Sequence, residues 1–395
     1  GENALGIRVE GASIDLSKTM AWKDAIVGRL TGGVSGLLQK ARVKIVHGRA
    51  RFRDGKTVEV ETETGVQVIR AETVVIATGS DPVELPALPF GGKVISSTEA
   101  LSLTELPKKL VVVGGGYIGL ELGTAFARMG SEVTVVEATS QILPLYDADL
   151  VKPVLRRLGE RGIKVLTEAR AVGLSDTGEA LVVETAEGRR ELPADRILVA
   201  VGRRPRTTGS GLEELDLDRI GSFLQVDDRC HTSMRGVYAI GDVTGEPMLA
   251  HRAMAQGEMV AEIVAGRKRA WDKRCIPAIC FTDPEIVSAG LLPEEARSHG
   301  FDVKIGQFPF TANGRAMTVE DEDGFVRVVA RADSHAVLGL QAVGAGVSEF
   351  ASTFAIAIEM GARLEDIAAT IHAHPTRGEA LQEAALKALG HALHI

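Results

Sequence analysis

The sequence predicts an α/β protein of several domains that binds nucleotides. Its 395 residues exceed the length at which one core stops growing, about 250 to 300 residues, so two to four domains are expected. Glycine accounts for 44 residues, about 11% against a usual ~7%, which favours tight turns and close backbone approaches to ligands. The third observation is a run of glycines between a predicted strand and a predicted helix at 114–119.

Composition excludes several other classes of protein. Hydrophobic residues make up 45% and charged residues 25%, which disfavours disordered and membrane proteins. The net charge of −8, without a basic tail, argues against a nucleic-acid partner. Three cysteines cannot form a disulfide framework, so a reducing compartment, the cytoplasm, is expected. The longest apolar run, 110–120, is too short to span a bilayer, and no signal peptide is visible.

The first hundred residues predict a helix, a small meander and a buried strand. Apolar residues at helical spacing predict an amphipathic helix over 13–39. Short β-rich runs at 43–46, 57–62 and 66–70, separated by hairpin-type turns, predict an antiparallel meander. The apolar strand 73–77 then ends at Thr78 and Gly79.

From residue 109 onward the pattern changes to a βαβ unit. A strand at 110–113, a helix at 116–128 closed by Gly130, and a strand at 132–136 form this unit. A helix at 150–161 and strands at 164–166, 180–184 and 196–201 follow. A second strand-to-turn segment lies at 236–242, before a helix at 250–265. Beyond a boundary near 274, strands at 326–330 and 337–340 precede helices at 346–360 and 376–390.

The glycines of the βαβ unit have the spacing of a dinucleotide-binding turn. Gly114, Gly116 and Gly119 follow a strand and open a helix, and Glu137 ends the next strand. The helix N-terminus supplies positive partial charge for a pyrophosphate. Glu137 can accept hydrogen bonds from ribose hydroxyls and would repel a 2′-phosphate, so NAD is favoured over NADP.

These segments together resemble the flavin-dependent pyridine nucleotide-disulfide oxidoreductases. The resemblance covers essentially the whole chain, with YIGLELG, VGRRPR, IGDV, MLAHRA, FTDPE, NGRA and HAHPTRGE in family order. It implies two nested dinucleotide-binding (Rossmann-like) domains and a C-terminal α+β interface or dimerisation domain. The implied division is FAD domain 1–107, NAD domain 108–224, FAD domain again 225–274, and interface domain 275–395.

The resemblance also implies ligands for both cofactors. Asp242, beside Gly241, would bind the flavin ribityl chain, Gly48 and Ala50 would contact the adenine end, and Thr78 and Gly79 would line the same site. Further implied contacts to the cofactors are Met248, Leu249 and Ala250 on the flavin side, and Tyr117, Ile118, Glu121 and Gly202 on the nicotinamide side.

His374 and Glu379 form the candidate catalytic pair. Pro375 suits the first position of a helix, which would place His374 just before the helix and Glu379 within it. A carboxylate that reaches the imidazole fixes its tautomer and stabilises its protonated form, which suits a base for a dithiol. The resemblance implies an obligate homodimer in which this pair serves the other subunit. Within the family, the motifs are most similar to the branch that oxidises dihydrolipoamide on the acyltransferase subunit of 2-oxo acid dehydrogenase complexes.

A redox disulfide and a metal site are both considered from the spacing of cysteines and histidines, and neither is expected. Cys275 and Cys280 have the spacing of the family's redox disulfide, but an extended chain around Pro277 would hold their Cα atoms roughly 16 Å apart, beyond the ~7 Å that a disulfide can bridge. Cys280 is instead expected in the core. His372 and His374 lack the further ligands that a metal site requires, so no metal is expected.

The family's N-terminal FAD-pyrophosphate glycines and its redox CxxxxC pair are not found in these residues, so an incomplete FAD domain is expected. Two alternatives remain open. One is another enzyme of the same fold: a glutathione-reductase-like or mercuric-reductase-like enzyme, or a flavin transhydrogenase. The other is an inactive NAD-binding or dimerisation module.

Overall fold

The computed structural model describes residues 13–394 together with Gly6, Arg8 and Gly11. The opening residues Gly1, Glu2 and Asn3 lie outside the described part. The first elements along the chain are α1 (Leu16–Lys40), β1 (Arg49–Asp54), β2 (Thr57–Thr62), β3 (Gly65–Arg70), β4 (Val74–Ile76) and β5 (Ser80–Pro82).

Helix α1 forms where the apolar spacing predicts it. The Asp15 carboxylate caps it by accepting a hydrogen bond from the Lys18 N–H at 3.3 Å. The expected apolar face is not buried, however, because Leu30 and Leu37 are 63% and 68% exposed. The 3.6-residue periodicity therefore predicted the helix correctly without indicating what covers it.

The antiparallel meander consists of β1, β2 and β3, and its first predicted strand was wrong. Residues 43–46 form no strand, and Val43 and Ile45 are exposed. The first strand is β1 instead, because the turn after Asp54 sets the register that pairs Ala50 with Val60. In that turn the Asp54 carboxylate accepts a hydrogen bond from the Lys56 N–H at 2.7 Å.

The middle of the chain forms a parallel sheet. Its elements are β6 (Val94–Ile95), α2 (Ser97–Ala100), β7 (Lys109–Val113), α3 (Tyr117–Met129), β8 (Glu132–Val136), α4 (Ala148–Glu160), β9 (Lys164–Leu166), β10 (Arg170–Leu174), β11 (Ala180–Thr185), β12 (Gly188–Pro193), β13 (Arg196–Val199), β14 (Arg203–Pro205), β15 (Arg219–Ile220) and β16 (Phe223–Leu224). The parallel sheet has the order β6-β13-β7-β8-β9, and β10, β11 and β12 form a separate antiparallel sheet. The predicted βαβ unit is thus confirmed, with Gly130 ending α3 at a φ of +114°.

The chain then returns to its first part. Strand β17 (Val237–Ala239) pairs in parallel with β4, and helix α5 (Ala250–Val264) follows. Because the parallel sheet is inserted between β4 and β17, one unit is nested within the other. This arrangement and the mixed α/β class agree with the fold that the resemblance implies.

The C-terminal part is an antiparallel sheet covered by helices. Its elements are β18 (Ala278–Cys280), β19 (Glu285–Gly290), α6 (Pro293–Ser298), β20 (Val303–Pro309), α7 (Gly314–Thr318), β21 (Phe325–Arg331), β22 (Val337–Gly344), α8 (Ala351–Glu359), α9 (Leu364–Ala369) and α10 (Glu379–Leu389). The sheet order is β18-β19-β22-β21-β20; α8 packs on β19 and β22, and α10 packs on β20 and β21. Across residues 13–394, no helix is long and apolar enough to cross a membrane.

Two predicted helices begin later than expected. The helix predicted over 346–360 starts as a 3₁₀ turn at Val347–Phe350 before α8. The helix predicted over 376–390 begins only at Glu379, because the Thr376 N–H donates to the Glu379 carboxylate and residues 377 and 378 form a turn. Pro375 therefore does not occupy the first helical position.

Candidate functional site

In the turn between β7 and α3, each glycine is required or accommodated for a different steric reason. Gly114 has a φ of +109°, and a Cβ there would lie 2.5 Å from the Ala200 carbonyl oxygen. A Cβ at Gly119 would lie 2.3 Å from the Gly114 carbonyl oxygen, so glycine is needed for α3 to pack this closely. A Cβ at Gly116 would meet nothing within 4 Å. The open side of the turn, at the positive end of α3, thus has room and backbone donors for the pyrophosphate of NAD.

Glu137 is fixed beside this turn. One carboxylate oxygen, Oε2, accepts a hydrogen bond from the Gly115 N–H at 2.7 Å. The other, Oε1, accepts from the Thr139 N–H at 2.7 Å and from its hydroxyl at 2.8 Å. The acid therefore lies where the sequence predicts a ribose partner. Thr139, which orients it, was not predicted.

Tyr117 and Glu121 lie one turn apart on α3 and are both partly buried. Burial raises the pKa of the Tyr117 hydroxyl and of the Glu121 carboxyl. Glu121 Oε1 also accepts a hydrogen bond from the Phe281 N–H at 2.8 Å, which joins α3 to the C-terminal part of the chain. Ile118 is partly buried on the same helix, and Gly202 adopts a φ of +136° in the loop before β14.

The two strand-to-turn segments on the flavin side come together. Because β4 and β17 are parallel neighbours, both turns lie at the same edge of the sheet. The Ser80 hydroxyl donates to Asp242 Oδ2 at 2.6 Å and accepts from Arg203 Nε at 2.7 Å. The Thr78 hydroxyl donates to the Arg206 carbonyl oxygen at 2.7 Å. Side-chain hydrogen bonds therefore hold this site together.

Gly79, Gly241 and the start of α5 also lie at the carboxyl edge of β4 and β17. Gly79 and Gly241 have φ angles of +71° and +73°, and a Cβ at Gly79 would meet nothing within 4 Å. The Gly241 N–H donates to the buried Gln256 side chain at 2.8 Å. Leu249 precedes the first residue of α5, Ala250. This open, polar strand end has the character expected for a bound flavin chain.

The other flavin-side positions have structural roles of their own. A Cβ at Gly48 would lie 2.1 Å from the Glu61 carbonyl oxygen, so the meander itself requires glycine there. Ala50 is paired with Val60 in the ladder, and the Met248 N–H donates to the Glu246 carboxylate at 2.9 Å. Contact of Gly48, Ala50 and Met248 with a flavin stays a prediction.

The structure brings His374 and Glu379 together. His374 Nδ1 lies 2.9 Å from Glu379 Oε1, and Glu379 Oε2 accepts from the Thr376 N–H at 2.8 Å. Partial burial opposes ionisation of Glu379, but the hydrogen bonds from Thr376 and His374 hold its carboxyl pKa below the ordinary value. The His374 side chain is 78% exposed and Glu379 only 25%. An ionised, shielded carboxylate thus orients an accessible imidazole.

Sequence reasoning missed several residues that support these sites. Arg203 bonds to Ser80 from 123 positions along the chain, and Asn313 bonds to Thr376 from 63 positions away. Both fall within motifs noted in the sequence, VGRRPR and NGRA. Those motifs were the available signal, but nothing local indicates which backbone or side-chain atom each residue contacts.

The cysteines are free thiols. Cys280 is fully buried, and burial raises its pKa to about 12; burial also raises the pKa of the partly buried Cys275. The prediction that Cys280 belongs to the core is confirmed. Within the described residues, no group of three or more histidine, cysteine or acidic side chains could hold a metal ion.

Comparison with known proteins gives consistent matches along the chain. The sequence profile described as pyridine nucleotide-disulphide oxidoreductase matches residues 4–257, and the dimerisation domain of that family matches residues 276–385. A dihydrolipoyl dehydrogenase of Pseudomonas aeruginosa is 60% identical over 394 residues, covering 100% of this chain and 85% of that protein. A dihydrolipoyl dehydrogenase of Geobacillus stearothermophilus is 42% identical over 394 residues, covering 99% and 84%.

Solved structures are similar over nearly the same extent. LpdA from Mycobacterium tuberculosis superposes with a TM-score of 0.87 at 27% identity, covering 95% of this chain and 84% of that one. The HOCl-induced flavoprotein disulfide reductase RclA from Escherichia coli superposes with a TM-score of 0.85 at 26% identity, covering 94% and 86%.

Proposed function

Because the chain belongs to the pyridine nucleotide-disulphide oxidoreductase family, we propose that it acts as a dihydrolipoyl dehydrogenase that uses FAD and NAD. The observation that carries this proposal is the His374–Glu379 pair, with an oriented and exposed imidazole. A thiol must lose a proton before it attacks a disulfide efficiently, so dithiol oxidation needs such a base. The identity of 60% to a dihydrolipoyl dehydrogenase supports the same activity.

NAD would bind at the turn between β7 and α3. Its pyrophosphate would lie over Gly114 and Gly116 at the start of α3, while Gly119 keeps the helix close to the strand. Glu137 would accept hydrogen bonds from the adenosine ribose and would repel a 2′-phosphate. Tyr117, Ile118, Glu121 and Gly202 would surround the nicotinamide end. The hydrogen bond from the Phe281 N–H would hold the partly buried Glu121 in place at that end.

FAD would bind at the carboxyl edge of β4 and β17. Asp242, oriented by Ser80, would accept hydrogen bonds from the ribityl chain beside Gly241, and Thr78 and Gly79 would line the same edge. Met248 to Ala250 would flank the ring system, and Gly48 and Ala50 would contact the adenine end. When bound, FAD supplies the electron transfer between a disulfide and NAD.

The dithiol proton would pass to His374. If Nδ1 donates its hydrogen to Glu379, as the 2.9 Å contact favours, Nε2 carries the lone pair on an imidazole that is largely exposed. Glu379 then stabilises the imidazolium that forms when Nε2 takes the proton. The exposure of His374 lets a thiol from another polypeptide reach it. Because Cys275 and Cys280 are unsuited to redox exchange, this proposal concerns the enzyme with its flavin and redox disulfide in place.

The partners follow from the same assignment. The C-terminal part carries a dimerisation domain, which supports a homodimer in which His374 serves the other subunit. Dihydrolipoamide on an acyltransferase subunit of a 2-oxo acid dehydrogenase complex is the substrate that we propose. We also propose the division at residues 107, 224 and 274 and a cytoplasmic location, which three free thiols support.

A substrate panel with two variants tests the function. The flavin-containing enzyme should reduce NAD with dihydrolipoamide, and it should respond far less to glutathione with NADP. His374→Ala should slow dihydrolipoamide oxidation by roughly 10²–10⁴-fold because the base is lost. The matched control is His372→Ala. The hydrogen bond of the His372 ring goes to the Ile367 carbonyl oxygen at 3.4 Å, and its influence on Glu379 is through charge alone, so this variant should keep most of its turnover. Normal turnover by His374→Ala would refute the assignment of His374 as the base. A preference for glutathione would refute dihydrolipoamide as the substrate.

A further inference from the structure

We propose that Asn313 is a positioning residue for the His374–Glu379 pair and that it acts through the backbone of Thr376. The inference rests on the proposed function, since it concerns the base of that reaction. Asn313 lies at the start of α7, far from residue 374 in sequence, and its side-chain hydrogen bonds go to Ala316 and Thr376, not to His374 or Glu379. Its effect would therefore be indirect.

The amide of Asn313 is fixed in one orientation. The residue is 3% exposed, and its Oδ1 accepts a hydrogen bond from the Ala316 N–H at 3.0 Å. On the other side, Nδ2 donates to the Thr376 carbonyl oxygen at 3.0 Å. A backbone N–H requires an acceptor and a carbonyl requires a donor, so the amide cannot be turned over without losing both bonds. One buried side chain therefore joins α7 to the loop before α10.

Thr376 is held on both sides of its backbone. Its carbonyl oxygen accepts from Asn313, and its N–H donates to Glu379 Oε2 at 2.8 Å. The other oxygen of Glu379 contacts His374 Nδ1. The Thr376 hydroxyl adds a bond to the Ala373 carbonyl oxygen at 2.7 Å. Releasing the Thr376 carbonyl would thus loosen the backbone at Thr376, whose N–H in the preceding peptide fixes Glu379, and Glu379 in turn orients the imidazole.

A competing explanation is that Asn313 serves only as the N-cap of α7. The variant Asn313→Ser separates the two roles, because serine is also a good N-cap but lacks the amide nitrogen that reaches Thr376. Asp15→Ala is the matched control: it removes a helix cap from α1, away from the loop at 373–379. If Asn313→Ser does not fold, Asn313→Asp preserves the volume and the cap and can be measured at alkaline pH, where its carboxylate cannot donate.

The first measurement does not depend on catalysis. Hydrogen exchange in Asn313→Ser should speed up about tenfold at the Thr376 amide, because the hydrogen bond from Asn313 Nδ2 to the Thr376 carbonyl oxygen is lost. The Ala316 amide should stay protected. Asp15→Ala should change neither amide. Unchanged exchange at Thr376 would overturn the proposal whatever the activity shows. Equal loss of protection at Ala316 and Thr376 would also overturn the proposal, because it would indicate that Asn313 acts only as the N-cap of α7.

The second measurement is turnover of the flavin-containing enzyme. Asn313→Ser should lower kcat for dihydrolipoamide by roughly tenfold to a hundredfold, with an unchanged KM for NAD, because a displaced base loses alignment. If Asn313→Ser has a normal kcat while His374→Ala has a severely lowered one, the positioning role of Asn313 is refuted and the assignment of His374 as the base still stands. Normal turnover in His374→Ala itself would instead refute the proposed function, and the two failures are thereby distinguished.

Discussion

The turn at 114–119 and the segment at 371–379 are held in place by different kinds of contact. In the turn, glycines let the backbone pack where a Cβ would lie within 2.5 Å of a carbonyl oxygen. In the segment, which has no strand or helix before Glu379, side chains hold the backbone: Asn313 binds the Thr376 carbonyl oxygen, and the Thr376 hydroxyl donates to the Ala373 carbonyl oxygen at 2.7 Å. The turn should therefore be damaged by an added methyl group, and the segment by a lost polar atom.

The largest effect is expected in the turn. Gly119→Ala should destabilise the chain by about 1–3 kcal/mol and abolish NAD binding, because its Cβ would press on the Gly114 carbonyl oxygen. Gly116→Ala is the matched control for folding: it meets no protein atom, so it should keep the melting temperature and lose NAD affinity alone. Thermal melts and NAD titrations check both. Equal stability of the two variants would break the backbone-packing explanation.

A second prediction concerns the flavin-side edge, which like segment 371–379 depends on side chains. Ser80→Ala removes the hydroxyl that joins Arg203 to Asp242, so we expect a loss of about 1–3 kcal/mol in unfolding free energy and weaker flavin binding. Ser80→Thr keeps the hydroxyl on a strand and should behave almost as the wild type. If both variants lose the same amount, packing and not polarity maintains this edge.

The smallest effect is a pH dependence of stability at Glu379. Its pKa in the folded chain lies below its ordinary value of 4.5, so the ionised form stabilises the fold above that pH. This contribution is lost as the pH falls through the lowered pKa. Glu379→Gln should thus be less stable than the wild type at pH 7, and the gap should narrow as the pH falls below 4.5 and close once it passes below the lowered pKa of Glu379. Denaturant unfolding across this range is the measurement, with the exposed Glu258→Gln as control. A gap that persists in acid would contradict the role of the charge.

Features whose physical requirements lie close together in the sequence were predictable, and features that depend on distant contacts were not. The turn at 114–119 was predictable because its steric requirements fall within one βαβ unit, where strand, glycines and helix follow each other. His374 and Glu379 were paired correctly because they lie five positions apart. The late start of α10 was not predicted, because the Glu379 side chain captures the Thr376 N–H in competition with the helix. Asn313 and Arg203 act across 63 and 123 positions, and local patterns carry no such information.

The strand predicted at 43–46 failed for a related reason. Its β-branched residues suit a strand, but pairing depends on the register set by the turn at Asp54, and that register selects Arg49–Asp54. Likewise, the spacing in α1 predicts an apolar face but not its partner. Propensity therefore identified β2 and β3 but not β1, because the turn at Asp54 decides which preceding segment pairs with β2.

Reduction of the bound flavin from its two sides tests the central claim most directly. In a stopped-flow experiment, the enzyme is mixed with dihydrolipoamide or, separately, with NADH, and flavin absorbance is followed. We predict that His374→Ala slows reduction by dihydrolipoamide roughly 10²–10⁴-fold and leaves reduction by NADH unchanged, whereas Gly116→Ala impairs only the NADH side. Wild-type reduction of the His374→Ala enzyme by dihydrolipoamide, or equal loss from both sides in both variants, would contradict the assignment of the two sites.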